Sequence, residues 1–151
     1  MKGNLRLVLA LAAACGAVGC VKSDGSGDPP EMQAKATPAF VEVPMPVGFK
    51  YDVEKSRSVT WAGGEYVDHF YTGSADRFAV ARFYRKQMPL SGWAPKPEDQ
   101  SPGGIITQEY DRQGKTCRVR ISDAGVFAGT EVHVTVFPNP QAAGPAGARK
   151  Q

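Results

Sequence analysis

Two stretches near the C-terminal end constrain the fold of this chain more than any other feature. Over residues 117–122 the apolar Cys117, Val119 and Ile121 alternate with Arg118, Arg120 and Ser122. Over 131–137, Val132, Val134 and Val136 alternate with His133 and Thr135. A period of two sends one set to one face of an extended strand and the other set to the opposite face. Strands written this way belong to a sheet with one buried and one solvated face, which is the habit of antiparallel sheets. The rest of the chain must therefore supply neighbouring strands and one layer to cover the apolar side.

Both are present. Residues 105–110 read as a strand, joined to a strand over 116–122 by a hairpin loop at 111–115. Residues 59–67 read as a further hairpin, with Gly63 and Gly64 supplying the positive φ of a tight turn, and its second strand runs to about Tyr71. The spacing predicts one helix over 75–88. Ser74 is its N-cap, Asp76 lies in its first turn, and Ala79, Val80, Phe83, Tyr84 and Met88 form an apolar stripe. Arg77, Arg82, Arg85 and Lys86 take the other side, Pro89 ends the helix, and Gly92 turns the chain so that Trp93 returns toward the sheet. The expected class is α+β: an antiparallel sheet of about five strands with one helix packed on one face.

The ends of the 151-residue chain read differently. Lys2 and Arg6 precede an uncharged run over 7–21, which is shorter than the roughly 20 residues a membrane-spanning helix needs. The order of charge, apolar run and small residues before a cysteine is that of a secretory signal. Ala17-Val18-Gly19-Cys20 resembles the lipobox of bacterial lipoproteins, although Ala17 stands where Leu is usual. The resemblance implies that Cys20 receives a diacylglyceryl group and becomes the first residue of the mature chain. Several acyl chains, palmitate among them, hold a protein stably on a membrane where one chain is marginal. Ala12-Ala13-Ala14-Cys15 is a second candidate with a shorter apolar run. The expected organisation is a signal peptide at 1–19, lipidated Cys20 with a flexible linker to 43, a domain over 44–137, and a disordered tail at 138–151 rich in Pro, Gly and Ala. Val21 follows the lipidated cysteine where Asp would be the familiar signal for inner-membrane retention, so the periplasmic side of the outer membrane is favoured.

Tyr71-Thr72-Gly73, Phe83-Tyr84, Met88-Pro89 and Gly92-Trp93 also resemble, in order, a group of small envelope lipoproteins of unassigned function. In that group a strand ends in Tyr-x-Gly, a helix carries a Phe-Tyr pair, and Gly-Trp opens the next strand. The resemblance covers about 44–137 and implies the anchor and the sheet-plus-helix fold. It brings no activity or catalytic residue.

Charge excludes one class. Between positions 44 and 137 the chain has 12 Lys and Arg against 11 Asp and Glu, a net of +1, while the whole chain is +3. Nucleic-acid binders concentrate positive charge in their folded part, so no nucleic-acid partner is expected. No metal site or cofactor is expected either: His69 and His133 are the only histidines, and no Cys/His pair has ligand spacing. With Cys15 in the leader and Cys20 lipidated, Cys117 is the domain's single thiol, a small core residue by its place in the alternation. Gly63-Gly64 and the glycines at 103–104 precede no helix and are turns, not phosphate loops. Glu65 and Asp68 are near in sequence without the marks of a catalytic carboxylate pair. Tyr66 and Phe70 alternate with Tyr71 on one strand, which marks Tyr66, Phe70 and Tyr71 as a possible partner patch.

Three functions follow in order: a non-catalytic envelope lipoprotein whose domain binds another envelope component, a transport or ligand-binding accessory with a pocket between helix and sheet, and, last, an enzyme built on Cys117 and a histidine.

Overall fold

The structure, a computed structural model, describes residues 31–100, 103–125 and 129–142. The leader, both of its cysteines, the 22–30 tether and the end of the tail from 143 lie outside the described residues. In chain order the elements are β1 (Lys50–Trp61), β2 (Gly64–Gly73), α1 (Arg77–Leu90), β3 (Ala94–Pro95) and β4 (Asp99–Gln100). They continue with β5 (Ile106–Arg112), β6 (Lys115–Asp123) and β7 (Thr130–Pro138), and a 3-10 turn at Pro140–Ala142 follows.

The sheet runs β1-β2-β7-β6-β5-β3, with β4 also on β5, and every pairing is antiparallel. The α+β reading fits, but the sheet path has six strands where about five were expected. The additions are two-residue strands on the outer edge of β5, too short to show any period, and one of them contains a proline that only an edge tolerates.

Three rows of side chains cross the apolar face: Val67–Val136–Cys117–Tyr110, His69–Val134–Val119–Gln108, and Tyr71–Val132–Ile121–Ile106. All twelve are buried. Helix α1 covers them with Val80, Ala81, Phe83, Tyr84 and Met88. Its N-cap is Asp76, not Ser74: Asp76 Oδ1 accepts from the amides of Phe78 (2.9 Å) and Ala79 (3.1 Å). Pro89 sits inside the last turn, and Gly92 at φ +81° reverses the chain into buried Trp93. In the β1–β2 hairpin only Gly64 has a positive φ, and at +159° it is nearly extended. Close approach is what requires glycine there, since a Cβ would lie 2.8 Å from Pro138 Cγ.

The cover has a second part, an arm that starts within the linker as the sequence reads it (to 43) and runs on into the first residues of the domain. Val43, Met45 and Phe49 are buried in the core, with Met32 and Phe40 packed against it. Ala34 bridges Pro46, the Lys35 amide donates to the Met45 carbonyl (2.8 Å), and the Val47 amide donates to the Gln33 carbonyl (2.8 Å). Trp93 Nε1 donates to the Glu42 carbonyl (2.7 Å) and ties this arm to the end of the helix. The folded part thus begins before Pro44. Prolines at 38, 44 and 46 interrupt the arm, so its apolar residues show neither a two- nor a 3.6-residue period.

Candidate functional site

α1 and the N-terminal arm close one face of the sheet, which leaves the other face open among the described residues. Its residues are the odd partners of the core rows. One row reads Asp52–Phe70–His133–Arg120–Thr107–Asp99 across six strands, and the next reads Arg57–Asp68–Thr135–Arg118–Glu109. No described helix packs on this side.

The β1 end of the face is built around a bulge. Asp52 pairs with Phe70 and Arg57 with Asp68, so residues 53–56 oppose only His69. Asp52 Oδ1 accepts from the amides of Glu54 and Lys55 at 3.1 Å each, and Ser56 Oγ accepts from the Phe70 amide at 2.9 Å. The bulge brings Lys55 over the Phe70 ring (5.9 Å to its centroid) and onto Glu131 (3.1 Å). Phe70 in turn stacks on His133, with centroids 4.1 Å apart and planes 9° from parallel. His133 Nε2 donates to Asp68 Oδ1 at 2.5 Å, and Arg57 Nε donates to Asp68 Oδ2 at 3.3 Å. A carboxylate only accepts, which places the imidazole proton on Nε2. Burial raises the Asp68 carboxyl, but His133 and Arg57 together outweigh it and hold the carboxyl below its ordinary range.

The expected patch residues part company here. Tyr66 and Phe70 lie half-buried on the open face, with Val59 paired across from Tyr66 and with Val59 and Trp61 both about half exposed. Tyr71 does not join them. It is 2% exposed on the core face, because a neighbour one residue along a strand points to the opposite side. Glu65 pairs with Lys115 (3.4 Å), away from the Asp68–His133 pair.

The two histidines also separate. His133 is on the open face, while His69 is 4% exposed on the core face, next to Tyr51 and Phe40. His69 Nε2 is 2.8 Å from Ser58 Oγ and its Nδ1 is 3.1 Å from the Tyr71 hydroxyl. Burial holds its pKa below the ordinary value, against the pull of Asp68 and Glu65. Sequence reasoning missed this Ser58–His69–Tyr71 chain, since the bulge that aligns Ser58 with Val67 has no sequence period. Cys117 is fully buried two strands from β2, in a different row from His69, and burial pushes its thiol far up. A thiol held in that state is not a nucleophile. Among the described residues, no group of three or more His, Cys, Asp or Glu side chains is arranged to hold a metal ion.

The far end of the open face holds a trough of about 450 Å³ lined by Pro97, Asp99, Thr107, Glu109, Arg118 and Arg120. Its wall is fixed from the core side: Gln108 Nε2 donates to the Ala81 carbonyl (3.1 Å) and to Glu98 Oε2 (2.6 Å), and Arg85 also pairs with Glu98 (3.5 Å). The Lys96 amide donates to the Glu109 carbonyl (2.8 Å). Between helix and sheet, Trp93, Tyr71, Tyr84, Tyr110, Phe49 and Met88 are each almost fully buried. In comparisons with known proteins, no family model, curated protein or solved structure matches this chain.

Proposed function

We propose that this chain is a lipoprotein of the bacterial cell envelope, tethered through lipid on Cys20, whose domain is a non-catalytic binding module working from the open face of its sheet. The observation that carries the binding reading is the asymmetry of the sheet. One face is closed by α1 and the N-terminal arm, and the other presents the Phe70–His133 stack beside Tyr66, Val59 and Trp61, framed by ion pairs. An aromatic centre with a polar rim is the composition of a protein interface. The tether rests on the leader: the charged start, the short apolar run and the small residues before Cys20. Val21 after that cysteine favours the periplasmic side of the outer membrane, and the partner is another envelope component.

A photo-crosslinking amino acid at position 70, in the native envelope, is expected to give one discrete heavier adduct. The same probe at exposed position 82 on the helix is the control and is expected to give none. An adduct from position 82 with none from position 70 refutes the reading. The anchor is tested separately: Cys20→Ala removes acyl mass and membrane retention, whereas Cys15→Ala keeps both, and acyl mass on the Cys20 variant overturns the assignment.

A further inference from the structure

We propose that the trough between β4, β5 and β6 is a binding site for a small zwitterion of the peptide class, its carboxylate held by Arg120 and its ammonium by Asp99. This rests on the open-face reading above and adds the chemical class of a ligand.

The argument starts from which charges of the trough are already neutralised. Glu109 is: Arg118 Nε donates to its Oε1 at 2.7 Å, and Lys96 Nζ lies 3.4 Å from its Oε2. These two cations hold the Glu109 carboxyl below its ordinary range despite its burial. Arg118 also lies over the Phe137 ring, 5.7 Å from its centroid, so its guanidinium is fixed on both sides. Arg118, Glu109 and Lys96, the last also paired with Asp111 (3.9 Å), thus match their charges among themselves.

Arg120 and Asp99 are not part of that set. Arg120 is exposed, and its cross-strand neighbours are Thr107 and His133, neither of them a carboxylate. Among the described residues no carboxylate lies within ion-pair distance of its guanidinium. Asp99 pairs in register with the same Thr107 from the other side, and among the described residues no cation lies within ion-pair distance of it. The trough therefore presents one unmatched cation and one unmatched anion on either side of a threonine hydroxyl. Neighbouring strands are about 4.8 Å apart, so the two backbones are separated by roughly 10 Å. The two side chains do not meet in an ion pair, and a ligand with both charges fits between them.

Each group selects its partner. A guanidinium offers a planar fork that matches a carboxylate with two parallel hydrogen bonds. The Asp99 carboxylate only accepts, and an ammonium with three donors suits it. Thr107 accepts or donates between them. Asp99 disfavours a phosphate dianion, and Arg120 disfavours a metal cation.

The test uses the full-length chain, isotope-labelled and purified in a nonionic detergent, and titrated with triglycine while amide shifts are followed. The expected result is saturable shifts concentrated at Asp99, Thr107, Arg118 and Arg120. N-acetyl-triglycine and triglycine amide, each lacking one charge, are expected to bind at least about tenfold more weakly. Arg120→Gln and Asp99→Asn, both on exposed side chains that leave the core intact, are each expected to cost about the same factor. Absence of saturable binding overturns the proposal. So do equal binding of the blocked peptides and indifference to both substitutions. The crosslinking at position 70 is read independently: an adduct there without triglycine binding sinks this proposal alone, and triglycine binding without an adduct sinks only the protein-partner reading.

Discussion

The contact between Phe49 and Gly73 yields a prediction with a sign as well as a size. Phe49 is 1% exposed and ends the N-terminal arm that covers the core, while Gly73 ends β2. A Cβ at position 73 would lie 2.6 Å from Phe49 Cδ2 and Cε2 and 2.8 Å from its Cγ. Phe49→Ala removes a fully buried ring and is expected to cost about 3–5 kcal/mol. Gly73→Ala forces the ring or the strand to shift, for about 1–3 kcal/mol of overpacking. The double variant removes the ring that the new methyl would strike, so it is expected to cost no more than Phe49→Ala alone. The coupling is then favourable and about as large as the Gly73→Ala penalty, well beyond the roughly 0.5 kcal/mol within which independent sites add. Urea unfolding reads it directly. With a slope of about 1.5 kcal/mol per molar, Phe49→Ala lowers the midpoint by about 2 M or more, and adding Gly73→Ala lowers it no further. If the two losses add, the arm does not pack over β2 as described.

Four further outcomes follow from polar groups held in the fold. His69 has a depressed pKa in the fold, so the unfolded chain takes up a proton first as pH falls below about 6.5. Stability is therefore complete above that pH and declines below it, and thermal melts of His69→Gln should fall less between pH 7 and 5 than those of the parent chain; equal falls refute the assignment. Asp68 and Glu109, also depressed, add their losses only as pH falls below about 4. Cys117, fully buried with its thiol pushed up, should resist a thiol reagent in the native domain and react on unfolding, and prompt native labelling contradicts its core position. Trp93→Phe keeps most of the packing but loses the bond to the Glu42 carbonyl, for about 1–2 kcal/mol measured by the same urea titration.

What the sequence made legible is what has a period. β6 and β7 alternate cleanly and were placed within a residue or two, as was the stripe of α1 that carries Val80, Phe83, Tyr84 and Met88. The N-terminal arm was not legible, because prolines at 38, 44 and 46 deny it any regular repeat while its apolar residues still find the core. The first half of β1 escaped for a related reason. Its polar run is an edge strand bent by a bulge, stabilised by the Asp52 and Ser56 side chains and not by burial. Tyr71 was misassigned to the patch because aromatic residues occupy both sides of β2, and only the register against β7 tells which side is covered.

The open-face constellation depends on that register more than on any local motif. Asp68 and His133 are 65 residues apart, as are no two members of a sequence motif, yet they meet because Val67, His69 and Tyr71 must face inward opposite Val136, Val134 and Val132. A slip of β2 by one residue would turn Asp68 and Phe70 toward the core and Val67, His69 and Tyr71 away from it, so burial of the core rows fixes the alignment. The same constraint across β6 and β5 sets Arg118 against Glu109 and leaves Arg120 against Thr107. Once Val119 and Gln108 are committed to the interior, the residues on either side of them have no choice of partner. The charges that remain unmatched on the open face are therefore a consequence of the apolar packing on the other, and a substitution such as Thr107→Glu, half-buried on the open face and pointing away from the core, supplies the missing partner to Arg120. It should leave the urea midpoint within about 0.5 kcal/mol of the parent while abolishing triglycine binding. Unchanged binding by that variant would show that Arg120 is not the residue that receives the carboxylate.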